Sequence, residues 1–242
     1  MNSLLDDFKS YEEIYEKYNQ DQSINLNDYS NINPTTLLPL ILHCDSDSNF
    51  DNNLKNEIKN FLKEYSNKKT IYFQKITPEY NFIYSTLENL FSNFIGNINE
   101  KNTFFYFFAE MLSNIDDHSN FDNAYVLAKK LDENIIDLCF LDDGVSIPST
   151  LNQLKEDNLT IYDTTKGLSS KKEEGRGFGL PSTIKIMSTF EKGEILIASR
   201  NAIYFKTNDN ELSDNLNSNL IEGTLVSLRF NSTMLPNIYS II

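Results

Sequence analysis

Residues 124–144 read AYVLAKKLDENIIDLCFLDDG, and the fold class turns on this stretch. Two apolar runs, Ala124–Leu131 and Asn134–Leu141, flank the polar pair Asp132-Glu133, the pattern of two strands joined as a hairpin. Upstream, Ile83, Leu87, Leu90, Phe91 and Phe94 recur at helical spacing over Phe82–Ile98, with Gly96-Asn97 as a stop, and a second helix is expected from about Asn102 to Asp117. Downstream, the polar loop 149–174 is longer than compact domains usually keep without a purpose. A helix over Leu180–Phe190 follows it, then strands over Glu194–Ser199 and Ala202–Lys206, a flexible polar loop over Asn208–Asn219, and a last strand over Gly223–Phe230. This order predicts an α+β domain over residues 81–242, with a mainly antiparallel sheet and helices on one face.

Before that domain, residues 1–32 read as a polar arm with one amphipathic helix carrying Leu5, Phe8, Tyr11, Ile14, Tyr15 and Tyr18. Residues 33–80 read as a small strand–helix–strand unit: a buried strand over Leu37–His43, a helix over Asn52–Tyr65 and a strand over Thr70–Ile76, ended by Thr77-Pro78. At 242 residues the chain suits one domain plus such a smaller unit.

Composition narrows the function classes. Lys+Arg 21 against Asp+Glu 35 gives a net charge of −14, a poor match for nucleic-acid phosphates or anionic lipid. The longest apolar stretches fall far short of a membrane span. Cys44 and Cys139 stand apart with no CxxC and no Cys/His cluster, so two reduced thiols are expected rather than a disulfide or a zinc site. The N-terminus lacks the basic and apolar regions of a secretory signal, and a cytoplasmic protein is expected. Glycine is scarce, 8 in the chain, or about 3% where about 7% is usual. Yet Gly175, Gly177 and Gly179 crowd one short stretch, with Gly144 and Gly167 just upstream.

Four constellations carry chemistry. In the first, Glu110, Asn114, Asp117 and His118 fall three or four residues apart and so share one helix stripe. Two carboxylates and a carboxamide oxygen there suit Mg²⁺ and an activated water, although a solvated helix face has the same pattern. In the second, Asp142 leaves an apolar strand at the turn Asp143-Gly144-Val-Ser-Ile147. A carboxylate so placed can accept from an exocyclic amine, and an ordinary Asp-Gly turn is the alternative. In the third, Gly175-Arg176-Gly177-Phe178-Gly179-Leu180 runs straight into a helix, whose N-terminus and loop N–H groups suit an anion. Lys171, Lys172 and Arg176 offer cations to a triphosphate or are solvated loop charges. The fourth is Gly223-Thr224 at the head of a strand.

Taken together and in this order, the four stretches over residues 82–231 resemble the GHKL nucleotide-binding superfamily of gyrase B-type, MutL-type and histidine-kinase-type ATPase domains. The resemblance implies the Bergerat fold, a two-layer α/β sandwich, with ATP and Mg²⁺ as cofactors. By that likeness Glu110 is the general base, Asn114 holds the metal, and Asp117 sits where gyrase-like members carry an acid. Asp142 meets the adenine amine, Gly144 makes the turn, and Ile147 and His118 line the nucleotide site. Gly175, Gly177 and Gly179, with Arg176, Phe178 and Leu180 between and after them, surround the phosphates beside Lys171 and Lys172. Residues 149–174 form the lid, and Thr224 backs the adenine end. The chain departs from the pattern at Ser146, which stands where the second box usually has its second glycine and could stiffen the lid hinge or narrow the pocket.

His43 and His118 are the two histidines, and neither fits a phosphoacceptor on a helical hairpin, so sensor-kinase function is disfavoured. Three readings follow from the resemblance. Glu110 activates water and the protein is a slow ATPase whose lid closure controls a partner or the N-terminal unit. Alternatively, the same base activates a serine or threonine of a partner, as in anti-sigma-factor kinases; or nucleotide only gates a protein–protein contact. A protein partner of unknown identity is expected in each case. A homodimer would use segments outside the motifs, for which residues 5–18 are the visible candidate.

Overall fold

The computed structural model describes residues 2–20, 24–29, 32–46, 52–67, 70–76, 101–152, 161–162, 179–189, 191–216, 220–237 and 239. The helix expected over Phe82–Ile98 lies outside them.

The chain starts with helix α1 (Leu4–Asn19), fixed at its head by a capping box in which Ser3 Oγ accepts from the Asp6 N–H and the Asp6 carboxylate accepts from the Ser3 N–H. Its buried stripe is Leu4, Asp7, Phe8, Tyr11 and Ile14, a helical spacing that includes one charge. Helix α2 (Pro34–Ser46) comes next, and here the expected strand over Leu37–His43 is corrected. Pro34 opens the helix, where its missing N–H costs nothing, and the N–H groups of Thr36 and Leu37 turn back onto the Asn33 carbonyl. Every residue from Pro34 to Leu42 is buried, so the run carries no polar face. A helix packed on all sides and a central strand then look alike in periodicity. Pro39, which cannot donate to a ladder, was the local signal against a strand.

Helix α3 (Asn52–Asn67) and strand β1 (Ile71–Ile76) follow, then helix α4 (Lys101–Asn114), which runs into a single π turn, Ile115–Ser119. The hairpin is present as β2 (Ala124–Lys130) and β3 (Ile135–Asp142). Beyond it lie a short helix α5 (Ile147–Asn152), helix α6 (Gly179–Met187), and strands β4 (Glu194–Arg200), β5 (Ala202–Thr207), β6 (Glu211–Asn215) and β7 (Ile221–Asn231). Strand β6 corrects the loop expected over Asn208–Asn219. It is an exposed edge strand, so its side chains show no apolar alternation although its backbone pairs with β5.

Among the described residues the strands form one sheet in the order β1-β2-β3-β7-β4-β5-β6, antiparallel at every junction. The class is α+β, a sheet with helices packed on it, as the sequence predicts. The helices, however, cover both faces. Val126, Leu138, Phe140, Ile197 and Leu228 pack under Phe104, Phe107, Phe108 and Met111 of α4 and Ile184 and Met187 of α6. The alternate residues Tyr125, Leu127, Leu141, Leu196 and Leu225 pack under α1, α2 and α3. The second cover comes from the segment read as a separate N-terminal arm and unit, and β1 is simply the edge strand of the same sheet, paired with β2. A sheet buried on both sides needs both layers, and these residues supply the second of the two apolar clusters that flank it.

One ion cluster joins that second layer to the sheet. Arg229 on β7 is 2% exposed and donates from Nε and Nη2 to the two Asp137 carboxylate oxygens, both at 2.6 Å. Nη2 also meets Asp7 on α1 at 2.6 Å, and Nη1 donates to the Asn2 carbonyl. Asn33 donates to both oxygens of Asp7, and Lys129 Nζ donates to the Asn33 side chain at 3.0 Å. Glu194 caps the first N–H of α1, that of Leu4, at 2.7 Å. Such a cluster is costly to break from one side, because the remaining charges stay buried. Arg229→Leu is therefore expected to destabilise the chain by about 3–5 kcal/mol, read as a lower urea midpoint at unchanged slope.

Candidate functional site

The face of the sheet beneath α4 and α6 ends in polar residues. Alternation along β3 carries Ile136, Leu138 and Phe140 onto that face and so Asp142 too; along β7 it carries Val226 and Leu228, and so Thr224; along β4, Ile195 and Ile197, and so Ser199. Asp142 and Thr224 are direct cross-strand partners. These three residues of adjacent strands form a row where the apolar core stops.

Asp142 is 4% exposed and accepts from the Gly144 N–H at 3.0 Å. Burial pushes its carboxyl up from the ordinary 3.8 to about 7; the Gly144 N–H pulls it back and the Asp143 charge adds to the rise. Asp143 itself ties the end of β3 to the entry of β2, accepting from the N–H groups of Asp122 and Asn123 and from the Asn123 side chain at 2.7–2.9 Å. Gly223 lies against Asp142 so closely that a Cβ there would sit 2.0 Å from the Asp142 carbonyl oxygen. Ser199, which the sequence reading passed over, is fully buried. Its hydroxyl donates to the Gly223 carbonyl at 2.6 Å, accepts from the Ile147 N–H at 3.1 Å and touches Thr224 Oγ1 at 3.2 Å. A serine on the apolar face of a strand was the signal that could have marked it.

Ser146 begins helix α5. Its Oγ accepts from the Ser149 N–H at 3.3 Å and bonds the Ser149 hydroxyl at 2.9 Å, the pattern of an N-cap. At this position the chain has a residue that stiffens the start of a helix.

Glu110 lies on α4, one of the two helices that pack on this face of the sheet. Phe108, two residues before it, packs edge-on against Phe140, two residues before Asp142, with centroids 5.3 Å apart. Glu110 is half-buried, and burial raises its carboxyl above the ordinary 4.5. Its carboxylate abuts the first residue of α6: a Cβ on Gly179 would fall 1.9 Å from Glu110 Oε2. Leu180 packs partly buried on the same core. Asn114, one turn past Glu110, is the half-buried last residue of α4. The straight stripe expected to run on through Asp117 is interrupted, because the π turn widens the spacing and leaves Asp117 exposed. The side chain of His118 lies outside the described residues, as do Lys171, Lys172, Gly175, Arg176, Gly177 and Phe178.

His43 belongs to the opposite face. Its ring stacks on Tyr15 at 4.8 Å and lies 2.9 Å from the Tyr11 hydroxyl, which in turn donates to the Leu220 carbonyl at 2.7 Å. It sits on helix α2, not on the expected strand, and has no path to Glu110 through the sheet.

Among the described residues no group of three or more His, Cys, Asp or Glu gathers as a metal cage. Asn114, one turn from Glu110 on the same helix, offers a half-buried carboxamide oxygen, a donor type that can ligate a hard cation. No family model, no curated protein and no solved structure matches this chain.

The two close glycines lead to different outcomes. Gly223→Ala drives a methyl into backbone and is expected to destabilise by about 1–3 kcal/mol or more. Gly179→Ala meets only the end of a flexible side chain and is expected to melt near the wild type while displacing the Glu110 carboxylate. Thermal melts of the two variants check the contrast.

Proposed function

We propose that this chain is a Mg²⁺-dependent ATP-binding protein of the GHKL type and a slow ATPase, in which nucleotide controls how a partner protein is held. The observation that carries the reading is a double meeting. Glu110 lies against Gly179 at the head of α6, and Asp142 lies against Gly223 and Thr224, so motifs far apart in sequence meet in two pairs on one face of the sheet.

In this reading Asp142 accepts a hydrogen bond from the adenine amine, the remaining lone pairs of a buried carboxylate being well placed for a charge-assisted bond. The head of α6 directs the N–H groups of its first turn and its partial positive charge to the phosphates. Magnesium, held through Asn114, would offset phosphate charge. Glu110 takes the proton of the attacking water at its carboxylate, and the burial that raises its pKa improves it as a base near neutral pH. The placement of His43 behind the sheet supports a hydrolase over a histidine phosphoacceptor.

With γ-labelled ATP, label is expected in free phosphate. Glu110→Gln is expected to lower turnover at least ~100-fold while nucleotide affinity, read by calorimetry, stays near the wild type; unchanged turnover would remove Glu110 from the mechanism. Asp142→Asn is expected to abolish adenine recognition.

The Asp142 shift also sets a pH dependence. A carboxyl raised from 3.8 to about 7 binds more protons folded than unfolded between those values, so its contribution to stability is lost as pH rises through about 7. The amine needs the ionised form, so ATP affinity is expected to rise between pH 6 and pH 8 as the stability of the unliganded chain falls. Calorimetric titrations and melts across that range check both signs.

A further inference from the structure

Ser199 lies opposite a bulge of β7. Its neighbours Ala198 and Arg200 pair with Leu225 and Ile221, so two steps along β4 answer four along β7. The hydroxyl of Ser199 takes up the displaced Gly223 carbonyl, and a hydroxyl has one proton and two lone pairs. The proton goes to Gly223 O at 2.6 Å, and one lone pair accepts from the Ile147 N–H at 3.1 Å. The Thr224 hydroxyl, 3.2 Å away, can then be only a donor to the other lone pair. Thr224 is only partly buried, with Asp142 directly across the strand pair.

We infer that Ser199 is a specificity-determining positioning residue for the nucleotide base: by taking the Thr224 proton it leaves Thr224 Oγ1 as an acceptor beside the Asp142 carboxylate. Two acceptors side by side can take one N–H each from an amino group at C6 of a purine, whereas a base seated in the same pose with a keto oxygen at C6 meets lone pairs. The inference rests on the ATP-binding reading and adds to it the residue that sets the polarity of the base subsite. Ser199 touches no base itself and acts through Thr224.

The test is calorimetric titration of the full chain with Mg-ATP and Mg-GTP at pH 8, where Asp142 is held ionised. Wild type is expected to prefer ATP at least tenfold. Ser199→Ala frees the Thr224 hydroxyl to turn its proton toward a keto oxygen, and the ATP-over-GTP ratio is expected to fall about tenfold, while Ser199→Thr, which restores the hydroxyl, keeps it. A purely structural role would weaken both nucleotides alike and leave the ratio unmoved. A folded Ser199→Ala variant whose ratio stays within about twofold of wild type therefore overturns the inference. If melts show that Ser199→Ala does not fold, Thr224→Val leaves the Ser199 bonds to Ile147 and Gly223 in place; the ratio is expected to fall there too, and an unchanged ratio overturns the inference equally. A wild type that binds both nucleotides equally overturns this inference alone. A folded wild type that binds neither overturns the ATP-binding reading and this inference with it.

Discussion

The structure is organised around a cation buried within its sheet. Arg229 lies on β7, the strand between β3 and β4, and is held by Asp137 on β3 and Asp7 on α1. A guanidinium suits this place because its planar fork satisfies both oxygens of Asp137 at once and still reaches a second carboxylate and a carbonyl. Two carboxylates on one guanidinium leave an excess negative charge, and Lys129, bonded through Asn33, stands nearby to balance it. The cluster fixes how α1 and α2 lie on the sheet, and Tyr11, one turn beyond Asp7, repeats the attachment at the other end of β7 through the Leu220 carbonyl.

That strand therefore has its two ends tied to the same helix while its middle is packed on both sides. Its head carries Gly223 and Thr224, and the closeness of Gly223 to the Asp142 backbone leaves little room for movement between β3 and β7 there. Ser199 extends the same rigidity to β4 and to the start of α5. The Asp142 end of the candidate site is thus built from short bonds between backbone and small hydroxyls. The Glu110 end is looser, for a flexible carboxylate meets the head of α6 rather than another backbone.

Much of this was legible locally. The hairpin β2-β3, helix α4 and strands β4, β5 and β7 follow from apolar spacing and turn residues, which act within a few positions of the chain. Glu110 and Asn114 stood out by helical spacing, Asp142 as a charge at the end of an apolar strand, Gly179 by glycine crowding before a helix, and Gly223 and Thr224 at the head of a strand. Less legible was any element whose pattern is erased by its surroundings: α2, in which every residue from Pro34 to Leu42 is buried, and β6, exposed along its whole length at the sheet edge. Asp117 lies off the straight helix stripe expected for it because a π turn changes the helical phase.

What the sequence by itself determined is the order of elements and the residue types at the ends of strands and helices, since periodicity, capping and turn chemistry are local. Only the tertiary structure decided that α1, α2 and α3 cover the back of the sheet, that Asp7 meets Arg229, and that the hydroxyls of a serine on β4 and a threonine on β7 meet. Those outcomes depend on burial and on hydrogen-bond partners far apart in the chain, and a donor or acceptor is satisfied by whichever group the packing brings to it.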